Sequence, residues 1–457
     1  MNLFLGSDRR PVHFVGIAGA GMSALAQVAL KRGMTVTGSD RAPEGAPDLP
    51  GLGARVWAGH DPAYVDGARA VVASAAIPED HPELHRAREL GLPVIRRKEA
   101  LGQLVAGREV VALAGTHGKT TTTVMTTHAL LGAGFDPTTL AGGRVATWGG
   151  NARIGGDELF VVEADEFDQA FLALHPVIAV VNNLEPEHLE CYQGSAQVQE
   201  DAFVTFASRA RRALIGSDDA GADAVARRVS VPVWRFGNTG PDLTLGKVGT
   251  TDRGAQAELT LAGGERVTLD LAVPGIHNLR NAAAAVGVVV ALGGDPVRAA
   301  EGLRGFVGVG RRFERRGTSA GVTVVDDYAH HPTEVAVTLA ATREAFPGRR
   351  VVAVFQPHLY SRTAALGEQM GRSLAGADVV FVTEVYAARE APIPGVTGRL
   401  VAEAAERAGA AVAFVEGREP LLGQVLAALT EGDVVLTLGA GDITTLGPAL
   451  LDRLAAR

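Results

Sequence analysis

Residues 110–131 read Val110-Val-Ala-Leu-Ala-Gly115-Thr-His-Gly-Lys119-Thr-Thr-Thr-Thr-Val-Met-Thr-Thr-His-Ala-Leu-Leu131. The first five are an apolar run of the kind a buried parallel strand makes. Thr120–Leu131 predicts a helix, stopped by Gly132 and Gly134. Strand, glycine-rich turn and helix in that order make a phosphate-binding loop. Gly115 and Gly118 permit the sharp turn and a close backbone approach. The amides of Gly115, Thr116, His117 and Gly118, and of the helix opening at Lys119, Thr120 and Thr121, would then face phosphate oxygens, as the helix dipole favours. Lys119 would sit on the β- and γ-phosphates and the Thr120 hydroxyl would reach a magnesium ion. The chain is therefore expected to be an α/β protein that spends a nucleoside triphosphate.

The spacing narrows this. A common P-loop would need glycine at position 113, where Leu113 stands. The shorter Gly-x-x-Gly-Lys-Thr form resembles that of the Mur ligases and folylpolyglutamate synthases, which make amide bonds through an acyl phosphate.

The rest of the chain bounds the reading. Its 457 residues suit two to four domains with cores of their own. The net charge of −8, without a dense basic tract, argues against a nucleic-acid partner. The one cysteine, Cys191, excludes an internal disulfide and a cysteine zinc cluster. Leu3-Phe4-Leu5 is too short for a signal-peptide core. The apolar stretch around Ala282–Leu292 falls far short of the ~20 residues that span a bilayer. Together these point to a cytoplasmic enzyme with no membrane insertion.

Three domains are predicted. Residues 1–107 alternate strand and helix. His13–Ile17 enters Gly16-Ile-Ala-Gly-Ala-Gly21, a helix runs to about Arg32, and a strand Met34–Gly38 ends at Ser39-Asp40. An acidic residue some 20 positions after such a turn could meet a ribose. The glycine order, Gly-x-x-Gly-x-Gly, argues against NAD and leaves a diphosphate of another nucleotide or a plain tight turn. Residues 108–312 carry the phosphate loop and further strands at Leu159–Glu163 and Val177–Val181. Alternating segments across 233–274 then read as antiparallel hairpins flanking the main sheet, and a helix follows over His277–Leu292. Residues 313–457 show strands at Val322–Val325, Val351–Phe355, Val379–Thr383, Ala411–Val415 and Val434–Leu438, the rhythm of a parallel sheet covered on both faces.

Polar residues collect at the strand ends, where open α/β sheets bind ligands. Glu163 ends a buried strand and opens Glu-Ala-Asp-Glu-Phe-Asp168; a carboxylate there could share magnesium with Thr120, since that ion prefers hard oxygen donors. His188, in the loop after the next strand, could ligate a second metal or hydrogen-bond the reacting carboxylate. Cys191 has no base placed for it and reads as structural. Asn278 and Asn281, with His277 at the start of their helix, suit an adenine edge, with helix capping as the alternative at Asn278. Arg311 and Arg312, at a predicted domain junction, would reach a transferring phosphate on closure, or lie on the surface.

Taken in order, His13-Phe-Val-Gly-Ile-Ala-Gly-Ala-Gly-Met-Ser23, Gly115-Thr-His-Gly-Lys-Thr120, Glu163-Ala-Asp-Glu, Gly310-Arg-Arg-Phe-Glu314, Asp326-Asp-Tyr-Ala-His-His-Pro-Thr-Glu334 and Gly439-Ala-Gly-Asp-Ile443 resemble the Mur ligase family over nearly the whole chain. The resemblance implies a three-domain fold. The first domain is Rossmann-like and binds a uridine diphosphate sugar, the second binds ATP, and the third is Rossmann-like and binds an amino acid. It implies ATP and Mg2+ as cofactors, and UDP-N-acetylmuramate and L-alanine as substrates joined through an acyl phosphate in peptidoglycan synthesis. A ligase that returns a recycled tripeptide to the same sugar nucleotide is the alternative within the family.

Carried over, Gly19, Gly21, Asp40 and Ser74 would lie near the uridine diphosphate and Asn151 near the sugar. Lys119, Thr120, Glu163 and His188 would hold phosphates and metals, and His277, Asn278 and Asn281 would approach adenine. Arg312 and Asp327 would complete the ATP site, and His330, His358 and Arg362 would frame L-alanine, Arg362 gripping its carboxylate. Lys119, His188 and Arg312 are the expected catalytic residues. The chain departs from the family at Leu359, where many relatives carry a second arginine, at Phe167, where serine is frequent, and at Ala73-Ser-Ala-Ala76, where two serines are common. Some relatives use a carbamoylated lysine on the second metal. No lysine stands between Lys119 and Lys247, which leaves Glu200 as a stand-in.

Overall fold

The computed structural model describes residues 3–4, 8–251, 254–388 and 390–456. They carry three sheets. The first holds β1 (Val12–Val15), β2 (Val36–Asp40), β3 (Arg55–Ala58), β4 (Ala70–Ala73) and β5 (Val94–Arg96) in the order β3-β2-β1-β4-β5. All its pairings are parallel. β1 and β4 are wholly buried, as apolar runs in parallel sheets are.

The second sheet has ten strands: β6 (Glu109–Ala114), β7 (Thr138–Val145), β8 (Gly150–Arg153), β9 (Leu159–Glu163), β10 (Ile178–Val181), β11 (Arg212–Gly216), β12 (Val233–Gly237), β13 (Leu243–Thr251), β14 (Gly254–Leu261) and β15 (Arg266–Leu271). Their order is β15-β14-β13-β12-β11-β10-β6-β9-β7-β8. β6 lies between β9 and β10, parallel to both, so the ends of all three open on the same side.

The third sheet holds β16 (Glu314–Ser319), β17 (Val322–Asp327), β18 (Val351–Phe355), β19 (Val379–Val382), β20 (Val412–Phe414) and β21 (Val434–Leu438), ordered β16-β17-β21-β18-β19-β20. Only β16 runs antiparallel.

Cα packing groups the chain into two compact units. One is Met1–Lys247, Ala257–Asp270 and Leu279–Val309; the other is Val248–Gln256, Leu271–Asn278 and Gly310–Arg457. In the first, a continuous core joins Phe14 and Leu25 of the first sheet's layer to Phe160, Val181 and Phe203 of the second. In the other unit, Val325, Ala353 and Leu436 face one core and Val324, Val352 and Val435 the opposite one, the alternation that a sheet covered on both faces requires.

Three readings shift. The expected strand Met34–Gly38 runs over Val36–Asp40, so Ser39 and Asp40 lie in the strand and not after it. The segments expected to flank the main sheet as hairpins extend it instead, as β13, β14 and β15. β16 was not expected, because its residues Glu314-Arg-Arg-Gly-Thr-Ser319 form a mostly exposed polar edge without an apolar pattern. No helix among the described residues is long and apolar enough to cross a membrane.

Candidate active site

β6 delivers the chain into the phosphate loop. Gly115 (φ +138°) and Gly118 (φ +78°) both sit where L side chains are strained, and Gly118 caps the helix Lys119–Gly132. Space enforces the same choice. A Cβ on Gly115 would stand 3.2 Å from Asn182 and Asn183 atoms, and one on Gly118 would stand 3.1 Å from Asn281 Oδ1. Asn281 therefore lies directly against the loop.

The segment after β10 straps the loop from outside. Asn183 Oδ1 accepts the His117 amide at 2.8 Å and its carbonyl accepts the Thr116 amide at 3.3 Å. The Thr116 hydroxyl accepts the Glu185 amide at 2.8 Å, and Asn182 donates to Thr122 Oγ1 at 2.8 Å. Two of the amides expected to face phosphate, those of Thr116 and His117, are thus turned to the strap. The helix opening at Lys119, Thr120 and Thr121 is left to meet an anion. Thr121 is buried within it.

Lys119 is half-buried and bound three ways: to the Gly115 carbonyl at 2.6 Å, the Thr116 carbonyl at 3.1 Å and Glu166 Oε1 at 2.8 Å. Burial opposes its charge, but the Glu166 carboxylate outweighs it and holds the ammonium above its ordinary value. Burial pushes the Glu166 carboxyl up to about 7 against the pull of Lys119. The Tyr192 hydroxyl donates to the Glu166 carbonyl at 2.6 Å and fixes its backbone. Glu163, at the end of β9, accepts from Thr120 Oγ1 at 3.1 Å and from the Gly142 amide; burial pushes its carboxyl up.

His188 sits at φ +53° with its ring edge-on to Phe167, centroids 5.2 Å apart. One ligand atom each from Glu166, Glu187 and His188 lies within 4.8 Å of the others. Glu166 Oε2 is buried with no hydrogen-bond partner. His188 is thus grouped with Glu166 and not directly with the Glu163–Thr120 pair. Glu200 takes no part in this cluster: Arg228 binds it at 2.5 Å. The Cys191 thiol is pushed up by burial, as suits a structural residue.

In the first sheet, Gly19 caps the helix Ala20–Lys31. Asp40 Oδ2 accepts the Ala18 amide at 2.9 Å and Oδ1 the Ala42 amide at 3.0 Å, so this carboxylate, expected at a ribose, braces the glycine turn. Ser74 packs against Gly16. Gly21 lies under the Arg97 guanidinium, which pairs with Asp165 at 2.7 Å. The buried Asn151 gives its amide to Gln27 Oε1 at 3.1 Å. A cavity of about 180 Å³ runs between these layers, lined by Gly21 and Arg97 at one wall and by Gly142, Glu163 and Asp165 at the other. It connects the glycine turn with Glu163 at the end of β9.

The other unit gathers a second polar group. His330 Nδ1 donates to the Tyr328 carbonyl at 2.9 Å, and its ring meets His358 edge-on, 5.9 Å between centroids. Arg362 lies 3.1 Å from His358 Nδ1 and can only donate, so that nitrogen accepts. Tyr386 stacks on His358. Asp327 accepts the Phe313 and Ala329 amides, both at 2.7 Å, and burial pushes it up to about 6 against the pull of Arg312. The adjacent arginines differ. Both lie against the Tyr328 ring, but Arg311 also binds the Gly439 and Gly441 carbonyls, whereas Arg312 stands 3.7 Å from Glu334. The Asn278 side chain donates to the Pro274 carbonyl at 2.7 Å, bracing the turn before its helix, and His277 packs at Gly275.

Sequence reasoning passed over Glu166, Asn183, Arg97, Gln27 and Tyr386. For Glu166 a signal existed: a second acid three residues after Glu163 in the same loop.

Comparison with known proteins gives the family. Residues 11–109 match the model of the Mur ligase family catalytic domain, residues 113–289 the Mur ligase middle domain, and residues 311–441 the Mur ligase glutamate ligase domain. The UDP-N-acetylmuramate–L-alanine ligase of Kineococcus radiotolerans is 46% identical over 98% of this chain and 96% of its own. That of a Mycobacterium species is 45% identical over 99% and 97%. The crystal structure of the UDP-N-acetylmuramate–alanine ligase of Thermotoga maritima superposes with a TM-score of 0.83 at 29% identity, covering 98% of this chain and 99% of that one. Three domain matches in chain order and near-full-length kinship give one result: this chain belongs to the Mur ligase family.

Proposed function

We propose that the chain is an ATP-dependent ligase that joins L-alanine to the lactyl carboxylate of UDP-N-acetylmuramate, releasing ADP and phosphate. The observation that carries this is the cavity from Gly21 to Glu163. It gives an acid anchored at the glycine turn a path to Glu163, which Thr120 of the phosphate loop bonds. The identities of about 45% to L-alanine ligases favour that amine over a tripeptide.

A carboxylate is a poor electrophile, so it must first gain a leaving group. Its oxygen attacks the γ-phosphorus, the bond to ADP breaks, and an acyl phosphate forms. Lys119 and the helix opening behind it stabilise charge on the transferring group. Thr120 and Glu163 offer hard oxygens 3.1 Å apart, and the unpartnered Glu166 oxygen stands beside Glu187 and His188. These residues fit magnesium: Thr120 and Glu163 would hold it, and the ion, when bound, would make the phosphate a better electrophile. The neutral amine of L-alanine, framed by His330, His358 and Arg362, attacks the acyl carbon. Phosphate leaves; of the two protons the alanine ammonium gives up, one goes to the departing phosphate and one to solvent. An enzyme that draws on ATP and a soluble sugar nucleotide in this way is assigned to the cytoplasm.

The test supplies ATP and UDP-N-acetylmuramate with either free L-alanine or the L-alanyl tripeptide and measures phosphate release. Release with L-alanine is expected. Release with the tripeptide alone would replace this reading with the recycling ligase.

A further inference from the structure

One carboxylate gathers the strand ends of the first sheet. Glu83, in the first turn of the helix Pro82–Glu89, is fully buried. Its Oε2 accepts from Ser39 Oγ at 2.7 Å and pairs with His13 Nε2 at 3.0 Å. Its Oε1 takes His60 Nδ1 at 3.1 Å and the Asp61 amide at 3.2 Å. His13 is gripped from its other side by Thr37 Oγ1 at 3.0 Å. A buried carboxylate is costly unless it is bonded and its charge is answered. Burial pushes Glu83 up, but the bonds from His13 and Ser39, helped by His60, outweigh this and hold it below the usual range.

The same residues carry the glycine turn. Ser39's carbonyl accepts the Gly16 amide at 2.8 Å and the Ile17 amide at 3.1 Å, and the next residue, Asp40, takes the Ala18 amide. His13 precedes the turn on β1, and His60 follows β3 beside it. The turn has no other side-chain brace from the depth of the sheet among the described residues.

We propose that Glu83 is a positioning residue for sugar-nucleotide binding: through Ser39 and His13 it sets where β1 and β2 present Gly16–Gly19, braced by Asp40, to the diphosphate. This rests on the sugar-nucleotide reading above. An apolar residue at this position would remove the acceptor that joins the three and leave the buried His13 Nε2 without one, while Ser39 and His60 kept only their 3.1 Å contact with each other.

The test is calorimetric titration of the full-length protein with UDP-N-acetylmuramate, beside steady-state kinetics. Glu83→Gln keeps the shape but turns one acceptor oxygen into a donor. Its Kd for the sugar nucleotide should rise at least tenfold while the KM for ATP stays within twofold and kcat at saturation within threefold. Ser39→Ala should move Kd three- to tenfold in the same direction, and it decides alone if Glu83→Gln does not fold. Unchanged Kd, or equal losses in Kd, ATP KM and kcat, overturns the proposal. A wild type that binds the sugar nucleotide but accepts another amine leaves the proposal standing and removes only the activity proposed above. A wild type that does not bind it removes both.

Discussion

The Lys119 ammonium is bound by two carbonyls of its own loop and by Glu166, so deleting it has two separable effects. Lys119→Ala should cut phosphate release by at least about a hundredfold, the order lost with one charge-stabilising donor. The Kd for the sugar nucleotide should stay within twofold, because Gly19, Asp40 and Ser74 lie at or just beyond strand ends of a different sheet. It should also destabilise the fold by less than the ~3–5 kcal/mol typical of a broken buried pair, because Glu166, already pushed up to about 7, can take a proton. Urea titration of the variant checks this. A second residue sets a pH dependence. Asp327 is pushed from 3.8 to about 6 by burial, so the folded chain binds its proton more tightly than the unfolded one. Its contribution therefore favours the fold below pH 3.8 and is lost as pH rises toward 6. Asp327→Asn should flatten the urea midpoint across that window. At this scale the phosphate loop was legible in the sequence because Gly115, Gly118, Lys119 and Thr120 act through local backbone geometry. Glu166 and Asn183 were passed over, because their partners, Lys119 and Tyr192 for one and Thr116 and His117 for the other, lie far from them in the chain. The chain reaches Glu166 just before two left-handed residues, Asp168 and Gln169, that no pattern announced.

Among the elements, β7 has the most direct bearing on chemistry. The Gly142 amide binds Glu163, and a Cβ there would stand 2.3 Å from the Glu163 carboxylate. Gly142→Ala should leave the circular dichroism spectrum unchanged and displace Glu163. The magnesium concentration for half-maximal phosphate release should then rise about tenfold, in line with lost metal-site support. Strands built from Val and Ala runs (β6, β9, β18, β21) were readable, since a buried parallel strand needs little else. β7 was not, because Thr138-Thr-Leu-Ala-Gly-Gly-Arg-Val145 is diluted by two glycines. The shifted β2 shows the same limit: Ser39 and Asp40 look like a loop until Glu83 and the Ala18 amide are seen to satisfy them.

For the molecule as a whole, strand–helix alternation revealed three sheets but not how the cores are shared. The helix Ala20–Lys31 has Met22–Ala29 buried without a break, and Gln27 reaches the Asn151 and Ala152 amides. A helix apolar all round needs cover on every side, and a sequence pattern cannot say which sheet supplies it. The core therefore crosses the predicted boundary between residues 107 and 108. Residues 1–107 expressed alone should unfold without cooperativity in urea and bind a hydrophobic dye, whereas 310–457, with cores on both faces of its sheet, should unfold cooperatively. The pairing of Lys119 with Glu166 has a practical consequence too. The chain holds four lysines, Lys31, Lys98, Lys119 and Lys247. Amine-directed reagents attack only the deprotonated form, which Glu166 denies to Lys119. Acylation of that one side chain, counted by peptide mass, becomes a gauge of how often it lets go of its acid, readable before any turnover.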